Sequence, residues 1–143
     1  MTGRVFTTER IFDSAVSNVW RAITEKELMK QWYFDFAEFK PEVGFVFEFK
    51  GEGTKGTPYM HRCEITEIVF EKKLTHTWSY VGYGGMSQLT FELFAIGGKT
   101  KLVLTHAGLE SFPADVEDFA FHNFEEGWNQ IINISLKNYL EKK

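Results

Sequence analysis

Four histidines, one cysteine and an arginine inside a strand are the residues of this chain whose types could do chemistry. His61, His76 and His106 fall in segments of two-residue periodicity, each sharing a face with apolar neighbours, and His122 falls in a helical segment. A histidine in an apolar pocket orients a ligand or exchanges protons near neutral pH. The same side chain can equally lie in the core, bonded to a backbone carbonyl. Arg10 shares a strand face with Phe6 and Phe12, where it suits either a carboxylate-bearing ligand or an ion pair within the protein. Cys63 has no second cysteine to pair with, which points to a reducing compartment.

Other candidate motifs lack the context their chemistry needs. His61-Arg62-Cys63-Glu64 gathers metal-ligand types, but His61 and Cys63 take one strand face and Glu64 the other. Neither H-E-x-x-H nor a paired C-x-x-C occurs, so no metal and no cofactor is expected. Gly51-Glu52-Gly53-Thr54-Lys55-Gly56 fits G-x-G-x-x-G, yet Thr57-Pro58 and a strand follow it instead of a phosphate-binding helix. It reads as a flexible connection. Ser79, Ser87 and Ser111 have no G-x-S-x-G elbow, so no catalytic nucleophile is assigned. Glu125 and Glu126 point about 100° apart on a helix and read as solvated. Asn133-Ile134-Ser135 matches a glycosylation sequon in the middle of a helical segment, and is read as a chance match.

The elements that must position these residues follow from periodicity. A first strand spans 4–12, with Phe6, Thr8, Arg10 and Phe12 on one face. Asp13 or Ser14 offers a cap to a short helix that buries Val16, Val19, Trp20 and Ile23. Thr24-Glu25-Lys26-Glu27 reads as a capping box for a second short helix, with Leu28 and Trp32 inward. Between 34 and 106 the period switches to two. Phe45, Phe47 and Phe49 share one face, as do Leu74, His76, Trp78 and Tyr80, then Leu89, Phe91 and Leu93, then Leu102, Leu104 and His106. Gly97-Gly98 makes a hairpin turn, and the short connections imply antiparallel neighbours. A long helix is expected from about 116 to 140, with Phe121, Phe124, Trp128, Ile131, Ser135 and Tyr139 on its stripe. Gly127 within it suggests close approach by another element, or a widened pocket mouth.

Strands followed by a helix make an α+β fold, and 143 residues suit one domain. The composition is unusual in its rings: 15 Phe, 5 Tyr and 4 Trp, or 17% aromatic. A net charge of −4 without a Lys/Arg cluster argues against nucleic acid. No apolar run approaches the ~18 residues of a membrane span, so no membrane insertion is expected. Without an apolar leader at its start, the chain is assigned to the cytoplasm, as monomer or homodimer.

Taken in order, the motifs carry a resemblance. Glu9-Arg10-Ile11-Phe12-Asp13, Val19-Trp20-Arg21-Ala22-Ile23-Thr24 and Leu28…Gln31-Trp32 look like the opening of the SRPBCC (START-like, Bet v 1-like) superfamily. Thr77-Trp78, the run from Gly98 to Leu109, and Glu126-Gly127-Trp128-Asn129-Gln130 continue it. The chain resembles most the branch named for the activator of heat-shock-protein-90 ATPase. Ser14-Ala15 stands where that family often has Ala-Pro.

The resemblance implies a helix-grip fold in one domain over 1–143, with about six to seven strands curved around the C-terminal helix and two short helices after the first strand. It also implies an apolar cavity between sheet and helix. The expected partner is a small hydrophobic molecule, aromatic or lipid-like, held by Phe45, Phe47, Phe49, His61, His76, Trp78, Phe91, Leu104, Phe124 and Trp128. Burial of apolar area and offset ring stacking would supply the affinity. Two alternatives accompany this expectation. One is an enzyme resembling polyketide cyclases, using His61, His76 or Arg10. The other is a chaperone-associated interaction module.

Overall fold

Alternating apolar and polar residues build one six-stranded sheet. The computed structural model describes residues 5–53 and 55–141. Its strands are β1 (Val5–Phe12), β2 (Val46–Glu52), β3 (Pro58–Val69), β4 (Lys73–Tyr80), β5 (Ser87–Ile96) and β6 (Lys99–Ala107). Neighbours run antiparallel in the order β1-β6-β5-β4-β3-β2. A register shift between Ile65 and Glu67 marks a bulge in β3, which bends the strand. Consecutive β1 and β2 lie at opposite edges, so the chain between them crosses the full width of the sheet. That crossing contains α1 (Val16–Thr24), α2 (Lys26–Met29) and an irregular stretch at 30–45. The architecture is the α+β helix grip, with six strands.

The helix ends differ from expectation. Neither Asp13 nor Ser14 caps α1; extended Ala15 does, at φ −65 and ψ 153, with no side-chain bond. The Asp13 N–H instead receives Glu141 Oε2 as its acceptor at 3.0 Å, tying this corner to the end of the chain's last helix. Thr24 builds no capping box, because its hydroxyl turns back to Trp20 O at 2.7 Å. Met29, not Leu28, is the buried residue of α2. A four-residue helix buries only the side chain that its neighbours can reach.

The C-terminal helix starts at Phe121, not near 116. Residues Glu117–Phe119 form a 3₁₀ turn, and Ala120 is extended at φ −68 and ψ 147. That break lets Phe119 stack on Tyr80 of the sheet, ring centroids 4.4 Å apart. The helix runs as α3 (Phe121–Gln130), a π-helical segment (Ile131–Leu136) and α4 (Lys137–Leu140). Its buried stripe is Phe124, Trp128, Ile132 and Leu136, so Ile132 and Leu136 replace the expected Ile131 and Ser135. Residues spaced by four drift around a 3.6-residue turn, and the wider π turn resets that drift. Each buried apolar side chain on the stripe contributes about 1.5–3 kcal/mol. Among the described residues, no helix is long and apolar enough to cross a membrane.

Candidate functional site

The concave face of the sheet meets two different partners. At one end, the irregular stretch at 30–45 lays its own rings into the grip. Trp32, Phe36 and Phe39 are buried there, and the Trp32 indole donates to Ala22 O at 2.9 Å. Phe36 meets Phe47 edge-on at 5.2 Å and Phe49 at 5.0 Å, while Phe39 lies 5.0 Å from Phe47. A void of about 10 Å³ remains, bordered by Phe36, Phe47, His76, Phe91 and Tyr33 among others. That is room for about one water. The Tyr33 hydroxyl is buried there and has no hydrogen-bond partner among the described residues. Its pKa stands well above the ordinary 10.0, chiefly because burial disfavours the phenolate.

At the other end, a cleft of about 400 Å³ separates the sheet from the start of the C-terminal helix. Phe34, Trp78, Tyr80, Phe124, Trp128 and Ile131 form its walls. Glu52, Gly53, Asp118, Asn123, Glu126 and Gly127 surround them. Trp78 and Trp128 meet at 5.5 Å and 61°, making an angled aromatic corner.

A buried hydrogen-bond relay fixes that corner. The Trp128 indole donates to His106 Nδ1 at 2.9 Å. An indole N–H can only donate, so His106 is neutral and carries its proton on Nε2. Nε2–H then donates to Ser87 Oγ at 2.7 Å, and Ser87 donates to Trp78 O at 3.1 Å. The relay bonds helix to sheet across the core. His106 is completely buried, which pulls its pKa down to about 3, with His76 adding to the effect.

His61 and His76 are also held neutral. Desolvation lowers His76 to about 4, against the bond from Nδ1 to Thr77 O at 2.7 Å. Desolvation likewise lowers His61 to about 4, opposed by its bonds to the Tyr59 and Phe49 backbone; Nδ1 lies 3.2 Å from Tyr59 O. The His61 ring lies flat on Phe49, 4.5 Å away. Burial raises the Cys63 thiol, which removes it as a nucleophile at neutral pH. Among the described residues, no group of His, Cys, Asp and Glu could hold a metal ion.

Of the ten residues expected at the ligand, Trp78, Phe124 and Trp128 border the cleft. Phe47, His76 and Phe91 border the small inner void. Phe49 and His61 pack against each other and Trp78, Leu104 is fully buried, and Phe45 lies half-buried beside Phe39. Sequence reasoning had Tyr80 on the right face but did not select it. Phe34 carried no periodic signal, and Glu126 read as mere solvation.

Three further expectations change. No element approaches Gly127: a Cβ there would meet nothing within 4 Å, so the glycine leaves the cleft mouth open. Arg10 Nη1 donates to Asn133 Oδ1 at 3.2 Å, in place of the expected ion pair among the described residues. The glycine-rich connection is a hairpin with a packing role. A Cβ on Gly51 would come within 2.7 Å of His61 Cε1, and one on Gly53 would collide with the Asp118 carboxylate. Close approach, not phosphate, requires these glycines.

The chain is similar to several solved structures along nearly its whole length. Mll3558 from Rhizobium loti shares 22% identity at a TM-score of 0.82, covering 97% of this chain and 98% of that one. MLL2253 from Mesorhizobium loti shares 25% at 0.79, covering 98% of each. CalU16 from Micromonospora echinospora shares 20% at 0.73, covering 98% of this chain and 78% of that one. No curated protein matches the sequence. The profile of the family described as Activator of Hsp90 ATPase homolog 1-like protein matches residues 13–141. With motif order, strand order and family profile in agreement, the chain belongs to the family of Activator of Hsp90 ATPase homolog 1-like proteins.

Proposed function

We propose that the protein binds a small apolar, ring-bearing molecule in the cleft between the sheet and the C-terminal helix. One observation carries this reading: about 400 Å³ of space walled by five aromatic rings between sheet and helix, where the inner end of the same sheet face leaves only about 10 Å³. Ligand pockets are typically ~300–1,000 Å³, apolar, with a few polar groups at defined places. Binding without catalysis fits the histidines. His61 and His76 are backbone-bonded and held far below neutral titration, and neither borders the cleft. A general base needs both reach and a pKa near the working pH.

Gly127 supplies the test. A leucine there projects into open space at the cleft mouth and improves helix propensity, so the fold is retained while the entrance closes. Calorimetric titration with 2-naphthol is expected to show binding to the native chain and at least tenfold weaker binding to Gly127→Leu, about 1.4 kcal/mol. Equal affinities would overturn the assignment to the cleft.

A further inference from the structure

Among the described residues that line the cleft, three buried side chains carry a polar atom: Trp78, Tyr80 and Trp128, at 5%, 7% and 3% exposure. Trp128 donates its indole N–H to His106 Nδ1 at 2.9 Å, and Trp78 donates its own to Tyr80 Oη at 2.9 Å. An indole has no second polar group, so both are spent. A phenol can accept and donate. Tyr80 Oη accepts from Trp78, and its own proton has no acceptor among the described residues. Burial disfavours the phenolate and raises the pKa above the ordinary 10.0, so the proton stays on Oη at neutral pH. The Asn123 amide turns away, donating to Glu117 O at 2.8 Å.

A buried donor without an acceptor discriminates among ligands. The bond from Trp78 polarises the phenol and makes its proton a stronger donor. An apolar group placed against that proton would leave it unpaired, at a cost to binding. An anion would be desolvated without a counter-charge, because no lysine or arginine is among the described residues that line the cleft. A ligand hydroxyl accepts but brings a proton of its own, and these three buried side chains hold no free acceptor for it. A carbonyl accepts and brings no proton. We propose that the cleft takes a ring-bearing ketone or related neutral carbonyl compound, its oxygen held by the Tyr80 hydroxyl and its ring packed in the corner of Trp78 and Trp128. This inference rests on the reading of the cleft as the ligand site and adds the polar group its occupant carries. Tyr33 is the counter-case: its hydroxyl is also buried without a partner among the described residues, but it borders the inner void and not the cleft.

Acetophenone and α-methylstyrene test this, having one shape but C=O in place of C=CH₂. A cleft without a free donor would prefer the alkene, since the carbonyl gives up its water hydrogen bonds for nothing. By calorimetric titration the ketone is expected to bind about threefold to tenfold tighter than the alkene, and its bound C=O stretch should lie below the value in alkane. The affinity ratio should fall below one in Trp78→Phe/Tyr80→Phe, which removes the hydroxyl together with the indole N–H that could replace it as donor. Tyr33→Phe should leave the ratio unchanged. A native ratio at or below one, an alkane-like stretch, an unchanged ratio in the double variant or a fallen one in Tyr33→Phe would overturn the proposal and leave the cleft assignment standing. So would failure of both probes where 2-naphthol binds; failure of 2-naphthol as well would overturn both.

Discussion

The two ends of the concave face begin from the same sequence pattern and finish differently. Phe47, Phe49 and His76 at one end, and Trp78 and Tyr80 at the other, all point inward by the alternation of their strands. At the inner end the stretch at 30–45 supplies Trp32, Phe36 and Phe39 to meet them, leaving about 10 Å³. At the outer end the 3₁₀ turn and late helix start hold the covering element away, and Gly127 presents no side chain, leaving about 400 Å³. Strand periodicity therefore determines which rings face inward. What covers them determines whether they enclose a core or a cleft.

Acid should break both ends at once and gives the largest effect. His61, His76 and His106 have ordinary values of 6.5 but titrate in the folded protein at about 4, 4 and 3. Above pH 6.5 both states are neutral and these groups contribute no slope. As pH falls below 6.5 the unfolded chain takes up protons that the fold refuses, so stability falls until the folded values are reached. Three protons imply on the order of 4 kcal/mol per pH unit at the steepest. Urea denaturation across that window checks it; a flat profile would mean that the histidines are solvated in the fold.

Truncations then distinguish the ends. Trp128→Ala should cost about 3–5 kcal/mol and abolish ligand binding, since it removes a cleft wall and strands His106 Nδ1. Phe36→Ala should cost about as much, its ring being 1% exposed, yet leave cleft binding intact. Denaturation midpoints together with calorimetry read both quantities. Comparable loss of binding in Phe36→Ala would mean that the ends form one cavity.

Much of this was legible in the sequence, and the exceptions have physical causes. All six strands and α1 were visible, because period two and period 3.6 are strong signals over seven to twelve residues, whereas the four-residue α2 is too short to show a period. Trp78, Phe124 and Trp128 were placed on inward faces for the same reason. Phe34 was not found, since an irregular segment has no period to read. The exchange of Ile131 and Ser135 for Ile132 and Leu136 came from a π segment that nothing local announces. Gly127 looked like a packing glycine because only tertiary structure shows the empty space beside it.

Two milder substitutions sharpen the contrast. Tyr33→Phe removes a buried hydroxyl that lacks a partner among the described residues and should stabilise the inner end by about 1–2 kcal/mol. Gly127→Ala should add at most about 1 kcal/mol through helix propensity, without closing the outer cleft. Thermal denaturation resolves either shift; a destabilised Tyr33→Phe would show that the hydroxyl does have a partner.

The four tryptophans divide the molecule well enough to test the central claim. Trp78 and Trp128 border the outer cleft, Trp32 borders the inner void, and Trp20 faces a separate surface hollow beside Phe70. The direct measurement is a ¹⁵N-edited NMR titration of the four indole N–H signals with 2-naphthol. The account predicts that Trp78 and Trp128 shift saturably while Trp32 and Trp20 stay still. Movement of Trp32 instead, or of none of the four, would contradict it.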